Sequence, residues 1–170
     1  MGMSIDSLNA MEQDEFVQAL GHVFEHSPWF AERVSAMRPF ERVDALHAAF
    51  QLVVLSADEE RKLALLRGHP DLAGKAARAG DLTDDSRAEQ AGAGLDRLSD
   101  EEFERFHALN EAYKEKFGFP FIVAVKGLSK EDILQAYARR VEHDRSQEFE
   151  TALGEVLKIA RFRVDDLIAG

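Results

Sequence analysis

Apolar residues recur at helical spacing along most of the chain. Phe16, Val17, Leu20, Val23 and Phe24 fall at i, i+1, i+4, i+7 and i+8, one stripe of an amphipathic helix. Ser27-Pro28 offers an N-cap followed by proline at the first helical position, where the missing N–H costs nothing. Pro39 opens another predicted helix, with Phe40, Val43, Leu46, Phe50, Val53 and Val54 on its inner face. Ser56-x-x-Glu59 has the form of a capping box for a helix reaching Arg67, with Gly68 as its stop.

Two further capping boxes follow, Ser86-x-x-Glu89 and Ser99-x-x-Glu102. The second begins a long helix bearing Phe103, Phe106, Leu109, Tyr113 and Phe117, ended by Gly118. Phe119-Pro120-Phe121-Ile122-Val123-Ala124-Val125 then breaks the 3.6-residue period. Its composition makes it extended, and no partner strand is in view. Ser129 caps a helix through Val141, and a last one spans Gln147 to Arg161. The pattern predicts an all-α fold of about seven to nine helices with one short extended segment near 119–125. No linker rich in Pro, Gly or Ser divides the chain, so residues 1–170 are expected to form a single compact domain.

Composition narrows the function. With 45% hydrophobic positions in 170 residues, a chain of this length buries about 70% of the surface it exposes when unfolded. Lys+Arg is 21 against Asp+Glu 32, a net charge of -11, which repels a phosphate backbone and argues against nucleic acid as a partner. An anionic small molecule stays possible if a few cations or backbone amides converge on it locally. The absence of cysteine excludes disulfides, thiolate metal sites and a cysteine nucleophile. No apolar run is long enough to span a membrane and no signal peptide is apparent, so a soluble, cytoplasmic protein is expected.

Several patterns carry candidate chemistry. His22-Val23-Phe24-Glu25-His26 fits H-x-x-E-H, but Ser27-Pro28 ends that helix at once and no third ligand is identifiable, so histidines beside a core stripe are the plainer reading. His143-Asp144, with His107 upstream and Asp165 or Asp166 downstream, resembles the ligand set of helical metal phosphohydrolases; a polar helix end is the plainer alternative. Ala91-Gly92-Ala93-Gly94 lacks the Gly-Lys-Ser/Thr of a phosphate loop and suits a close helix crossing. His69 follows a helix C-terminus, and Pro70 blocks that helix from continuing, so a stiff turn presents the imidazole. The negative end of the helix dipole favours its protonated form. Ser86 to Gln90 open a helix whose unpaired amides suit an anion; Glu89 by default closes the capping box on Ser86, unless a ligand competes for it.

Taken in order, six segments resemble the 2-oxo-4-hydroxy-4-carboxy-5-ureidoimidazoline (OHCU) decarboxylase family. They are Phe24-Glu25-His26-Ser27-Pro28-Trp29, His69-Pro70-Asp71-Leu72-Ala73-Gly74, Ser86-Arg87-Ala88-Glu89-Gln90-Ala91-Gly92, Leu109-Asn110-x-x-Tyr113, Phe117-Gly118-Phe119-Pro120-Phe121-Ile122 and Ile159-Ala160-Arg161-Phe162-Arg163. The resemblance implies an all-helical, commonly dimeric lyase that needs no cofactor and no metal and forms (S)-allantoin from an anionic ureidoimidazoline. It implies that His69 is the catalytic acid/base and that Glu89 assists its proton handling. Pro70, Ser86, Arg87, Ala88, Glu89 and Gln90 are then expected to bind the ligand. Phe121, Ile122, Val123, Ala124 and Val125 would line the opposite wall and offer main-chain hydrogen bonds. An arginine near the C-terminus would meet the substrate; Arg163 aligns best, with Arg161 the fallback. Two readings stand beside this one, a metal-dependent helical phosphohydrolase and a helical interaction module without catalysis.

Overall fold

The structure is a computed structural model that describes residues 3–24, 27–72, 83–95 and 97–168. Among these residues it is all-α, with nine α-helices: α1 (Ile5–Ala10), α2 (Gln13–Leu20), α3 (Trp29–Ser35), α4 (Val43–Ser56), α5 (Glu59–Arg67), α6 (Asp84–Gly92), α7 (Asp100–Phe117), α8 (Lys130–Arg140) and α9 (Arg145–Leu167). A 3-10 turn, Gly21–Val23, follows α2. The described residues form no strand; an isolated parallel bridge joins Met3 to Ile168. The chain divides into two compact units, Met1–Gly68 with Val156–Gly170, and His69–Glu155.

In the first unit the stripe expected from Phe16 to Phe24 is real but not one helix. α2 stops at Leu20, the 3-10 turn carries Val23 inward, and Phe24 leaves helical geometry while staying buried. Its ring contacts those of Phe30 and Phe50 at 5.3 and 5.4 Å between centroids. The helix expected from Pro39 begins only at Val43. Asn9 explains the delay: its side chain both donates to the Phe40 carbonyl and accepts from the Phe40 N–H, each at 2.8 Å, which holds the chain out of helical register. Arg38 braces the same turn, donating to the carbonyls of Ser35, Leu8 and Met11. Pro28 lies one position earlier than expected, at the N-cap of α3 and without a side-chain cap. Ser56 ends α4 instead of starting α5, and Asp58 caps α5 by accepting from the Arg61 N–H.

The second unit holds α6, α7, α8 and the first part of α9. Ser99 and Glu102 close a full capping box at the start of α7, and Lys130 reaches the Glu102 carboxylate at 2.5 Å. That contact, followed by the Ser99 N–H, holds the Glu102 carboxyl below its ordinary range. α7 ends where expected, at Gly118, whose φ of 83° is left-handed and strained for any residue with a Cβ. The chain then runs buried and without helix or strand from Phe119 through Val125, bending at Phe119 and leaving Ala124 only half-buried. Aromatic rings cover it. Tyr113 meets Phe117, Phe119 and Phe121, and Phe121 stacks on Tyr137 at 3.7 Å. Ser129 caps α8, as the sequence predicts, in a capping box with Asp132. Replacing Ser99 by alanine should cost about 1 kcal/mol through loss of one cap, and a thermal melt should register it as a Tm drop of about 2–4 °C.

Candidate active site

His69 follows Gly68, the C-cap of α5, and is 7% exposed. Gly68 adopts ordinary right-handed geometry with φ of -73°, so no glycine-only conformation stops this helix. The stop is Pro70, which lacks the N–H needed for another turn and disfavours helical geometry at His69. Side chains from two helices then hold the turn. Gln90 of α6 donates to the Asp71 carbonyl at 3.3 Å, and Asn110 of α7 donates to the Leu72 carbonyl at 2.9 Å. Lys114 of α7 pairs with the Asp71 carboxylate at 2.9 Å, and that contact raises the lysine above its ordinary range. The stiffness expected of this turn therefore comes from tethers as well as from proline. Ala73 and Gly74 lie outside the described residues, as do Glu25 and His26 of the H-x-x-E-H pattern.

α6 starts three residues earlier than the sequence suggests. Thr83 is its N-cap and accepts the Ser86 N–H at 3.2 Å, while the Arg87 N–H already bonds the Thr83 carbonyl. The expected anion cradle of amides at Ser86 is thus replaced by ordinary helix bonding, and the first turn carries two acids, Asp84 and Asp85. Glu89 is in the second turn, where a capping box with Ser86 cannot form. Ser86, Glu89 and Gln90 share one face by helical spacing; Ser86 and Gln90 are buried and Glu89 is half-buried. Arg87 and Ala88 are exposed. Gly92 ends the helix in open space, with nothing near a hypothetical Cβ, so the Ala91–Gly94 stretch marks a terminus and not a helix crossing.

Among the described residues the segment from Phe121 to Val125 has no neighbouring strand, and side chains bond to its backbone instead. Arg140 of α8 donates from Nη1 to the Ile122 carbonyl at 2.6 Å, and the Ala124 N–H donates to Glu155 of α9 at 3.1 Å. The Phe121 ring lies between the Tyr137 ring and the Arg140 guanidinium, 4.4 Å away, so its side chain is core. Arg140 also donates from Nε to Glu148 at 2.8 Å. Glu148, with no exposed surface, further accepts from the Tyr113 hydroxyl at 2.5 Å and contacts His143 Nδ1 at 2.9 Å. Burial, then the bond to Glu148, pushes the Tyr113 hydroxyl well above its ordinary pKa and keeps it a donor. Tyr137, also raised by burial, donates to the Asn110 side chain.

Arg163, 4% exposed in the other unit, donates to the carbonyls of His22 and Val23 at 3.3 Å. Arg161 is exposed and 3.8 Å from Asp44. The residues of the metal reading have other work: Asp144 caps α9 through the Gln147 N–H, His143 meets Glu148, His107 stacks on Phe103, and Asp165 pairs with His47 at 2.8 Å. Among the described residues no group of three or more His, Asp or Glu could hold a metal ion, and no helix is long and apolar enough to cross a membrane.

The sequence pattern assigns no role to Arg140 or Glu148, gives Asn110 only as part of a motif, and gives Tyr113 only as part of that motif and of a helix face. The signal was present. Arg140 follows Ile133, Ala136 and Tyr137 at the i+7 position of a buried stripe, and Glu148 precedes Ala152 and Val156 in the same way. A charge on the inner face of a helix demands a partner.

A family model described as OHCU decarboxylase matches residues 9–165. The chain is 47% identical over 162 residues to 2-oxo-4-hydroxy-4-carboxy-5-ureidoimidazoline decarboxylase of Haloferax volcanii, with 95% of this chain and 94% of the relative covered. It is 45% identical over 165 residues to the protein of that name from Halalkalicoccus jeotgali, covering 97% and 92% respectively. Among solved structures it matches a crystal structure of (S)-allantoin synthase with a TM-score of 0.79 and 33% identity over 98% of this chain. This chain spans 54% of that one, about half its length.

The tether from Asn110 can be tested by stability. Asn110→Leu orphans the Leu72 carbonyl and the Tyr137 hydroxyl, at about 1–3 kcal/mol for each group. The urea midpoint should fall with an unchanged m-value.

Proposed function

The chain belongs to the OHCU decarboxylase family, and from that premise we propose that it decarboxylates 2-oxo-4-hydroxy-4-carboxy-5-ureidoimidazoline stereoselectively to (S)-allantoin in urate breakdown. It is a carboxy-lyase. The observation that carries the reading is the family match over residues 9–165, which spans both compact units and supports treating the chain as one functional domain. The burial of His69 and the tethers on the turn after it support the reading.

The substrate explains the small catalytic set. The carbon bearing the carboxylate and hydroxyl adjoins a C=N carbon. When the C–C bond breaks, CO2 leaves as a neutral molecule and the bonding pair moves into the imine, whose nitrogen takes up a proton. An enol remains. It loses its hydroxyl proton and gains one on the neighbouring carbon, which fixes the handedness of allantoin. The ring is its own electron sink, so the protein needs to supply proton transfer and orientation.

His69 is proposed to accept the hydroxyl proton and to return one to a single face of the enol, with Glu89 assisting. Pro70, Ser86, Arg87, Ala88 and Gln90 are proposed to shape the ligand site beside them. Because the Ser86 and Arg87 amides already bond to Thr83, any contact from Ser86 to an anion must come from its hydroxyl. The residues from Phe121 to Val125 are proposed as the facing wall. Arg163 is preferred over Arg161 as the cation for the substrate carboxylate, since carbonyls hold its guanidinium in a buried setting while Arg161 lies in solvent. A hold on that carboxylate too tight in the ground state would give no acceleration, because the charge vanishes as CO2 departs. A cytoplasmic homodimer completes the proposal, on the habit of the family.

Changing His69 to Asn or Ala should lower turnover by about 10²–10⁴-fold without altering the far-ultraviolet circular dichroism of the protein. The assay follows the optical activity of allantoin formed from freshly generated substrate, with and without the protein; full activity in the variants would remove His69 from the mechanism. In the same assay Arg163→Met should raise KM and Arg161→Met should leave it unchanged. The opposite pattern would reassign the carboxylate to Arg161.

A further inference from the structure

Two ionised side chains are buried in the second unit at places the proton chemistry above does not use. Arg140 is 3% exposed and Glu148 not at all. Their pairing is more specific than charge neutralisation requires. The guanidinium spends Nε on Glu148 and Nη1 on the Ile122 carbonyl, and its face lies 4.4 Å from the Phe121 ring. Glu148 is itself fixed by Tyr113 and by His143, so it cannot swing away with the arginine. A planar fork held at one nitrogen by a fixed carboxylate has its other nitrogens aimed in set directions. One of them is aimed at a main-chain oxygen in the middle of the wall.

Resting on the decarboxylase reading, we propose that Arg140, oriented by Glu148, is a positioning residue that sets the peptide planes of the Phe121–Val125 wall for decarboxylation. Among the described residues the segment has no β-ladder to orient its peptide groups, and the side-chain bonds at Ile122 and Ala124 do so instead. A rotation of the Ile122–Val123 peptide would change which main-chain groups face the ligand and at what angle. The reacting carbon would then present its two faces less unequally to the proton donor. The consequence falls on turnover and on the handedness of the product more than on ground-state affinity.

The conservative variant separates aiming from neutralising. Arg140→Lys keeps a cation beside Glu148, but a single ammonium lacks the fork that serves Glu148 and Ile122 along fixed directions. With native circular dichroism, it should lose about 10–100-fold in kcat with KM within about threefold, as expected when reacting groups are misplaced and not unbound. The excess of (S)- over (R)-allantoin should fall with it. Glu148→Gln retains an acceptor while withdrawing the charge that orients the guanidinium, and should move the same two readouts in the same direction. Wild-type kcat and enantiomeric excess in a folded Arg140→Lys protein would overturn the inference and leave the functional reading standing. Loss of native structure in both variants would also overturn it, because the pair would then serve folding and not aim. A wild-type protein that produces no (S)-enriched allantoin would sink the functional reading and this inference together.

Discussion

An extended segment buried in a helical protein has no strand beside it to bond its backbone. From Phe119 to Val125 nearly every side chain is buried, and an unmatched buried peptide group costs about 1–3 kcal/mol. Helices cannot help with their own main chains, whose groups are already paired. The help must come from side chains long enough to reach across and polar enough to bond, and those side chains must be buried to do it. Arg140 meets that demand from the core, and Glu155, only half-buried, supplies its bond at the half-buried Ala124. Burying Arg140 then requires Glu148, and burying Glu148 recruits Tyr113 and His143. This part of the polar interior of the second unit follows, link by link, from one stretch of chain that is neither helix nor sheet.

Such a network is poor value as pure stabilisation. A buried ion pair often adds little over apolar residues of similar volume, whereas removing one partner costs about 3–5 kcal/mol because the other charge is stranded. Apolar substitutes at 140 and 148 would still leave the Ile122 carbonyl unbonded. The pair is better understood through geometry: it converts the position of two helices into the orientation of a peptide plane. The His69 turn is built on the same plan. Gln90 and Asn110 hold main-chain oxygens at Asp71 and Leu72, and the Tyr137 that donates to Asn110 also stacks on Phe121. Asn110 and Tyr137 thus connect the turn to the extended segment through two side chains, so neither can shift without the other feeling it.

Much of this could be seen in the sequence, and the misses share a cause. Helix-rich periodicity, the Gly118 stop, the box at Ser99, the cap at Ser129 and the break in helix after Gly118 follow from local chemistry, and local chemistry decides them in the fold. The errors occur where two local signals compete. Thr83 and Ser86 are both good caps, and the pattern Ser-x-x-Glu favoured the wrong one; Ser56 and Asp58 repeat the contest, again settled in favour of the residue without the box. At the helix expected from Pro39 the deciding partner is Asn9, which lies 31 residues from the Phe40 it bonds and leaves no local trace. Arg140 and Glu148 were legible in principle, as charges on apolar stripes, but periodicity is scanned for apolar residues and passes over the position where the stripe is broken.

The net charge of -11 bears on how such a protein can favour an anionic substrate at all. The global field opposes it, so attraction must be short-range and must come from cations close to the ligand. Arg140 is committed to Glu148, and Lys114 to Asp71. Arg163 donates to the carbonyls of His22 and Val23, and those two bonds fix the direction of its guanidinium. In the role proposed for it, Arg163 would meet the carboxylate along the direction those bonds set. The hold must be light, because ground-state attraction to a group that loses its charge as CO2 leaves does not lower the barrier.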